Sequence, residues 1–207
     1  MSVATPEEVL AFWFPIDASA TLEQFMEQVR FWFAGGSNDA VRARFVPTLE
    51  ATARGELDHW AKTAQGRLAL ILVFDQFSRA IHGGTAEAFV LDARALALAV
   101  GGIDNGMYAE LPSAFHKLFF GLPLGHSEDA ALHERSVALA EALIAEAPPQ
   151  LRRGFEHSAG QARAHRDVIA RFGRHPHRNA VLGRTSTQAE LEYLATETPP
   201  HLRKPSL

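Results

Sequence analysis

Apolar side chains return every third or fourth position along most of this chain, the period of an amphipathic helix, and strand-like alternation is hard to find. Thr5-Pro6-Glu7-Glu8 supplies a capping hydroxyl, a first-turn proline and a glutamate at the third helical position. An apolar face of Val9, Phe12 and Trp13 follows, and Pro15 ends it. Thr21 opens a second helix carrying Leu22, Phe25, Val29, Trp32 and Phe33, stopped by Gly35-Gly36. Asn38 or Asp39 caps a third, with Val41, Phe45 and Leu49 four apart and Pro47 expected to kink or divide it. Thr85 is expected to cap a helix through Phe89, Leu91, Leu96 and Val100 to Gly101-Gly102. Pro112 begins another through Phe115, Leu118 and Phe119, which Gly121 and Pro123 close.

Leu68 to Phe74 is an unbroken apolar run, which periodicity alone cannot assign to strand or helix. Asp75-Gln76-Phe77-Ser78-Arg79 continues it without a turn signal and no partner strand is evident, so we read it as helix. Ser127-Glu128-Asp129 is an acidic helix start with Ser127 as its cap, leading into an alanine-rich helix that ends near Pro148-Pro149. A long helix from about Gln150 to Phe172 stops at Gly173. A short one spans Pro176 to Leu182, and Thr187-Gln188-Ala189-Glu190 is a capping box for a last helix bearing Leu191 and Leu194. Residues 196–207 are expected to form an extended tail. Connections are short and no linker stands out. The expected fold is a single all-α domain over residues 1–207, built of stacked antiparallel helical hairpins.

Composition narrows the class. With 47% apolar and 21% charged residues the chain is an ordinary globular sequence, and no apolar run approaches a membrane span. The start of the chain lacks the basic and apolar regions of a secretory signal, and the absence of cysteine removes disulfides, thiolate metal sites and cysteine nucleophiles. Both fit a reducing cytoplasm. The net charge of -4 conceals an asymmetry: residues 150–189 hold eight arginines against Glu156 and Asp167, a local charge of +6 that leaves -10 for the remainder. Glycine, proline and apolar residues interleave this basic part and lysine is scarce, which speaks against a nucleic-acid surface.

Candidate chemistry concentrates at residues 171–184, where Arg171, Arg174, Arg178 and Arg184 accompany His175 and His177. No carboxylate lies between Val168 and Ala189. Guanidinium forks match carboxylate and phosphate oxygens, so the segment is suited to an anion, either a ligand or a carboxylate of this same protein. Asp75 follows the apolar run and is expected to be buried, with Arg79 one turn further on as its nearest partner. His126-Ser127-Glu128-Asp129 contains metal-ligand residue types but no metal-binding spacing, so no metal and no cofactor are expected. No nucleophile elbow, P-loop or dinucleotide fingerprint is present.

Three blocks resemble a known group: Leu68 to Phe89 around Asp75-Gln76-Phe77-Ser78-Arg79, then His126-Ser127-Glu128-Asp129, then His165 to Glu190 with Phe-Gly-Arg-x-Pro-His-Arg-Asn and Leu-Gly-Arg. With Trp32-Phe33 and Trp60, the chain resembles the bacterial domain-of-unknown-function number 924 family over nearly its whole length. Ser78, Ala80, His175 and Thr185 depart from that pattern, which usually has proline, asparagine, an aromatic and an acidic residue there. The resemblance implies a tetratricopeptide-like superhelix and no defined activity.

Two functions remain open on the sequence. In the first, Asp75, Arg79, His126, Glu128, Arg174, His177, Arg178, Asn179 and Arg184 line a pocket that binds a small anionic metabolite and hydrolyses it or transfers a group on it. His177 would then move the proton, the arginines would hold negative charge, and Asp75 would orient a histidine or arginine. In the second, a helical-repeat scaffold captures an acidic peptide or protein partner without catalysis. Neither involves nucleic acid or membrane.

Overall fold

The apolar run at Leu68 is the centre of the molecule. A computed structural model describes residues 2–202, and every regular element among them is helical. In chain order these are α1 (Pro6–Trp13), α2 (Leu22–Phe33), α3 (Asn38–Ala53), α4 (Ala64–Leu72), α5 (Ser78–His82), α6 (Asp92–Asp104), α7 (Ala114–His126), α8 (Ala130–Glu146), α9 (Arg152–Phe172) and α10 (Gln188–Thr196), joined partly by short 3-10 turns. Leu68, Ala69, Leu70, Ile71 and Leu72 of α4 are all buried, because α1, α6 and α7 pack around it. A helix enclosed on every side needs no polar face, which is why its sequence shows no helical period.

Aromatic rings fill the space between α1, α2, α3 and α7. Trp13 meets Phe77 at 5.4 Å and Phe119 at 5.6 Å between centroids, and Trp32 meets Phe119 at 4.9 Å, mostly edge-to-face. The Trp32 Nε1–H donates to the Trp13 carbonyl at 2.8 Å, so the polar edge of that indole is satisfied inside the core. Further along the chain, α8 and α9 form the most extensive helix pair, and α10 follows α9 after a stretch of turns.

Several boundaries differ from the sequence reading. Pro47 lies inside an undivided α3, and α7 runs through Gly121 and Pro123 to His126. Packing against the surrounding helices outweighs the local proline penalty in both. α7 begins at Ala114, with Ser113 as its cap, and not at Pro112. The helix expected from Thr85 is a 3-10 turn, Ala86–Phe89, followed by α6, which passes Gly101-Gly102 and ends at Asp104. Asp129 caps α8, accepting from the Ala131 amide at 2.8 Å, while Ser127 closes α7 by donating to the Leu124 carbonyl at 2.9 Å. The segment from Pro176 makes only a 3-10 turn to Arg178. The expected tail is partly helical: Thr196 still belongs to α10 and Pro200–Leu202 is a 3-10 turn. Residues 203–207 of that tail lie outside the described residues.

The capping box at Thr187 is present. Thr187 Oγ1 accepts from the Glu190 amide at 3.3 Å and Glu190 Oε2 accepts from the Thr187 amide at 2.7 Å. Thr187→Ala is therefore expected to destabilise by about 1 kcal/mol in a denaturant titration. An unchanged midpoint would show that Arg174, which also grips Glu190, holds this helix start without the hydroxyl.

Candidate functional site

Between α4 and α5 the helix widens by one residue, and Val73–Phe77 forms a π-helical turn in which the Ser78 amide reaches back to the Val73 carbonyl. Such single turns re-aim one side chain and occur often at functional sites. Here the turn carries Asp75, whose side chain is 1% exposed. Asp75 Oδ1 lies 2.6 Å from His126 Nδ1 and 3.0 Å from Arg79 Nη1, and its Oδ2 accepts from the Gln76 amide group. Burial pushes this carboxyl towards its neutral form. Arg79, then His126, overcome that and hold it well below the usual carboxylate range. The hydrogen bond to ionised Asp75 fixes the tautomer: in the neutral form of His126 the proton is on Nδ1 and the lone pair on Nε2. Nε2 has no hydrogen-bond partner among the described residues, and the His126 side chain is 24% exposed.

Asp92, which the sequence reading missed, joins two arginines. Its Oδ2 lies 2.9 Å from Arg79 Nη2 and 3.5 Å from Arg178 Nη1. Phe89, also missed, has the Arg79 guanidinium 5.4 Å and the Arg178 guanidinium 5.0 Å from its ring centre. Phe89 ends the 3-10 turn before α6 and Asp92 is the first residue of α6, and no local motif ties either to residue 178. Arg178 is 7% exposed. Its Nη1 donates to the His126 carbonyl at 2.9 Å, and its Nε has no protein partner among the described residues. Burial, with Arg79 next, pushes the Arg178 pKa down to about 10, whereas Asp75 and Asp92 raise that of Arg79.

The other arginines of the basic segment have found carboxylates of this chain. Arg184 grips Glu128 with two bonds, 2.8 and 3.0 Å, and the same carboxylate accepts from the His175 amide at 2.8 Å. Arg174 grips Glu190 through bonds of 2.6 and 2.7 Å and also donates to the Thr185 carbonyl. Asn179, buried, donates to Ser186 Oγ at 3.0 Å. Of the residues expected to line one pocket, Asp75, Arg79, His126 and Arg178 form a connected group, and Glu128 with Arg184 adjoins it. Arg174 and Asn179 serve the start of α10. Two hollows lie elsewhere on the surface: about 270 Å³ beside Phe74 and Arg94, and about 570 Å³ beside Phe172 and Arg174.

His177 does not meet Asp75 and is not the residue that Asp75 orients. It lies in a cluster of imidazoles, with ring centres 5.4 Å from His175 and 4.2 Å from His201, while His165 and His133 flank His175 at 5.5 and 5.7 Å. His133 Nε2 and His175 Nε2 both share the Ser127 carbonyl, at 2.9 and 3.1 Å. Burial comes first and pushes His177 down to about 3 and His165 to about 2, and moves His133 and His175 in the same direction. Among the described residues no three His, Asp or Glu side chains are placed to hold a metal ion.

A histidine kept neutral by the fold makes stability depend on pH with a definite sign. Its folded pKa lies below the unfolded value of about 6.5, so its contribution is full above that pH and is lost as pH falls towards the folded value. Each such histidine adds a slope of up to about 1.4 kcal/mol per pH unit. The melting temperature should therefore fall between about pH 6.5 and about pH 4.5, before carboxylates titrate. His175→Phe should flatten that fall. A melting temperature constant across this window would contradict the burial of neutral imidazoles.

No helix among the described residues is long and apolar enough to cross a membrane. A comparison with curated proteins returned no match. A solved protein of unknown function from Agrobacterium tumefaciens superposes with a TM-score of 0.73 at 31% identity, covering 91% of this chain and 96% of that one. The model of a family described as bacterial protein of unknown function, DUF924, matches residues 9–198, which include Asp75, His126 and Arg178. The chain belongs to the DUF924 family.

Proposed function

We propose that His126, backed by Asp75, is a proton-transfer residue acting on a small anionic metabolite held by Arg178, in a hydrolysis or group transfer. The observation that carries this reading is the pairing of two features. One is the 2.6 Å Asp75–His126 contact, which leaves Nε2 available. The other is a buried guanidinium with too few acceptors, bonded to the carbonyl of that same histidine. An anion at Arg178 would supply the acceptors that Asp92, at 3.5 Å, supplies only weakly. His126 Nε2 would take a proton from water or a hydroxyl, and Asp75 would stabilise the imidazolium through Nδ1. A general base of this kind contributes a factor of about 10²–10⁴. His177, held neutral, serves as part of the wall and not as the base.

Charge balance limits the ligand. Asp75 and Asp92 match Arg79 and Arg178 in number, and Glu128 matches Arg184, so the site favours a small ligand of low charge over a long acidic peptide. The test is a panel of phosphate monoesters and carboxylate esters offered to wild type, His126→Gln and Asp75→Asn, alongside melting shifts on adding inorganic phosphate or small carboxylates. Turnover lost in both variants, with an anion-induced shift lost in Arg178→Ala, supports the reading. Turnover that survives His126→Gln, or an anion response undiminished in Arg178→Ala, refutes it.

A further inference from the structure

Helix α2 carries two apolar stripes, and the core takes only one of them. Phe25, Gln28 and Trp32 are its buried positions, and Gln28 and Trp32 both donate to the Trp13 carbonyl. The second stripe is Leu22, Met26, Val29 and Phe33, spaced four, three and four apart. That is the a and d pattern of a helix that packs lengthwise on another helix. At about 100° per residue it lies roughly a quarter-turn from the first stripe. Its two ends are open: Leu22 is 47% and Phe33 51% exposed. Met26 and Val29 between them are half-buried, with Val29 resting on the edge of the core. Phe33 lies flat on Phe119, with ring centres 5.6 Å apart and planes 5° from parallel, which leaves its other face for a partner.

Charges line one edge of this second stripe. Glu23, Glu27 and Arg30 are all exposed there, and none of their side chains makes an ion pair or hydrogen bond among the described residues. Even Glu27 and Arg30, at the spacing of a helical ion pair, stay apart. The stripe is its own complement when reversed. With two copies of α2 antiparallel about a two-fold axis between Glu27 and Gln28, Leu22 of one copy faces Phe33 of the other and Met26 faces Val29. The same placement sets Glu23 of each copy about 3 Å along the axis from Arg30 of the other, on one shared edge. A parallel pairing would instead turn the charged edge of one copy towards the core-facing edge of the other, so only the antiparallel one pairs the charges.

From this pattern we infer that the outer stripe of α2 is a self-association surface, on which a second copy of this chain packs its own α2 antiparallel about a two-fold axis. Such a contact uses the same patch on both copies and closes at the dimer. It draws on one 12-residue helix from each copy. A standard interface uses roughly 20–30 residues a side, so this association is of the weak, concentration-dependent class. Asp75, His126 and Arg178 all lie outside α2, and the inference stands apart from the site reading above.

Sedimentation of the full chain across micromolar to millimolar concentrations reads the association. The expected result is a monomer–dimer equilibrium without larger species. Arg30→Glu sets like charges at both ends of the shared edge and should weaken the dimer roughly tenfold. Exchanging both charges, Glu23→Arg with Arg30→Glu, should recover most of the loss. Both positions are exposed and unpaired within the chain, so the melting temperatures of these variants should stay close to that of wild type. Cross-linking reads the geometry. The chain has no cysteine, so a single introduced one reports only on its own position. About the two-fold axis the two copies of position 26 are roughly 4.5 Å apart along the helix, and those of position 22 roughly 16 Å. Met26→Cys should therefore give a disulfide-linked dimer under mild oxidation, and Leu22→Cys should not. A monomer at every concentration overturns the inference, as does a dimer indifferent to Arg30→Glu, which would place the contact on another surface. So does a charge exchange that recovers nothing, or cross-linking at position 22 in preference to 26.

Discussion

Asp75→Ala is expected to lower the free energy of unfolding by about 3–5 kcal/mol, the range for removing one member of a buried ion pair. The carboxylate is 1% exposed and sits at the junction of α4, α5 and α7, so its partners are held there by the fold. Its loss leaves His126 without an acceptor at Nδ1 and reduces Arg79 to its bonds with Asp92 and with the backbone carbonyl of residue 75. Arg79→Ala should also be destabilising, since the buried Asp75 carboxylate would keep only its hydrogen bonds from His126 and Gln76. Because both variants break one network, the double variant should be less destabilised than the sum of the singles by about 1–3 kcal/mol. Additive losses would mean that Asp75 and Arg79 act independently despite lying 3.0 Å apart.

The pH dependence gives a second check on the same residue. Its folded pKa is depressed, so its contribution is full above the unfolded carboxyl value of about 4 and disappears as pH falls through the folded one. The gap between wild type and Asp75→Ala should thus be constant at neutral pH and close only in acid, below the range in which histidines act. Arg178→Ala should behave differently. The carboxylate nearest Arg178 is that of Asp92, at 3.5 Å, and Asp92 keeps Arg79 at 2.9 Å, so removal of Arg178 strands no buried anion and should disturb stability less than either partner of the Asp75–Arg79 pair.

Helices were legible in this sequence where a capping box opened them or a left-handed glycine closed them. The cap, stripe and glycine pair from Thr85 to Gly102 instead produced a 3-10 turn and a helix that runs past both glycines. Thr5, Thr21 and Thr187 each form the capping box that their spacing announces, and Gly173 takes the left-handed φ of 68° expected of a helix terminator. Boundaries failed where tertiary packing overrides local preference, as at Pro47 and Pro123. The Asp75–Arg79 contact was legible because both partners lie one turn apart. The Asp75–His126 pairing was not, since it spans 51 positions and depends on a π-helical turn that no residue type announces. The basic segment illustrates the ambiguity of arginine. Arg174 and Arg184 chose Glu190 and Glu128, and only their final distances separate an internal tie from a ligand site.

Gly66→Ala and Gly101→Ala should change stability in opposite directions, although both glycines lie in helices. At Gly66, in the first turn of α4, an added Cβ would fall 2.2 Å from the Trp60 carbonyl oxygen and 2.9 Å from Thr63 Oγ1. The obstacle is backbone in the 3-10 turn Asp58–Lys62, whose Trp60 is itself buried, so it cannot swing aside like a flexible side chain. Thr63 Oγ1 is also committed, as acceptor of the Gly66 amide that starts the helix at 3.1 Å. Relief requires moving that turn or the start of the central helix, and overpacking of this kind costs about 1–3 kcal/mol, with the upper end expected here. At Gly101 the nearest group to a new Cβ is Arg67 Nη1 at 3.5 Å, an ordinary contact with the end of a side chain. Alanine there should stabilise by about 0.5–1 kcal/mol, because it removes backbone freedom from the unfolded chain inside α6. Denaturant midpoints of the two variants decide the matter. A stable Gly66→Ala would show that the Asp58–Lys62 turn is free to retreat from α4, and the central helix would then be less tightly held than its burial implies.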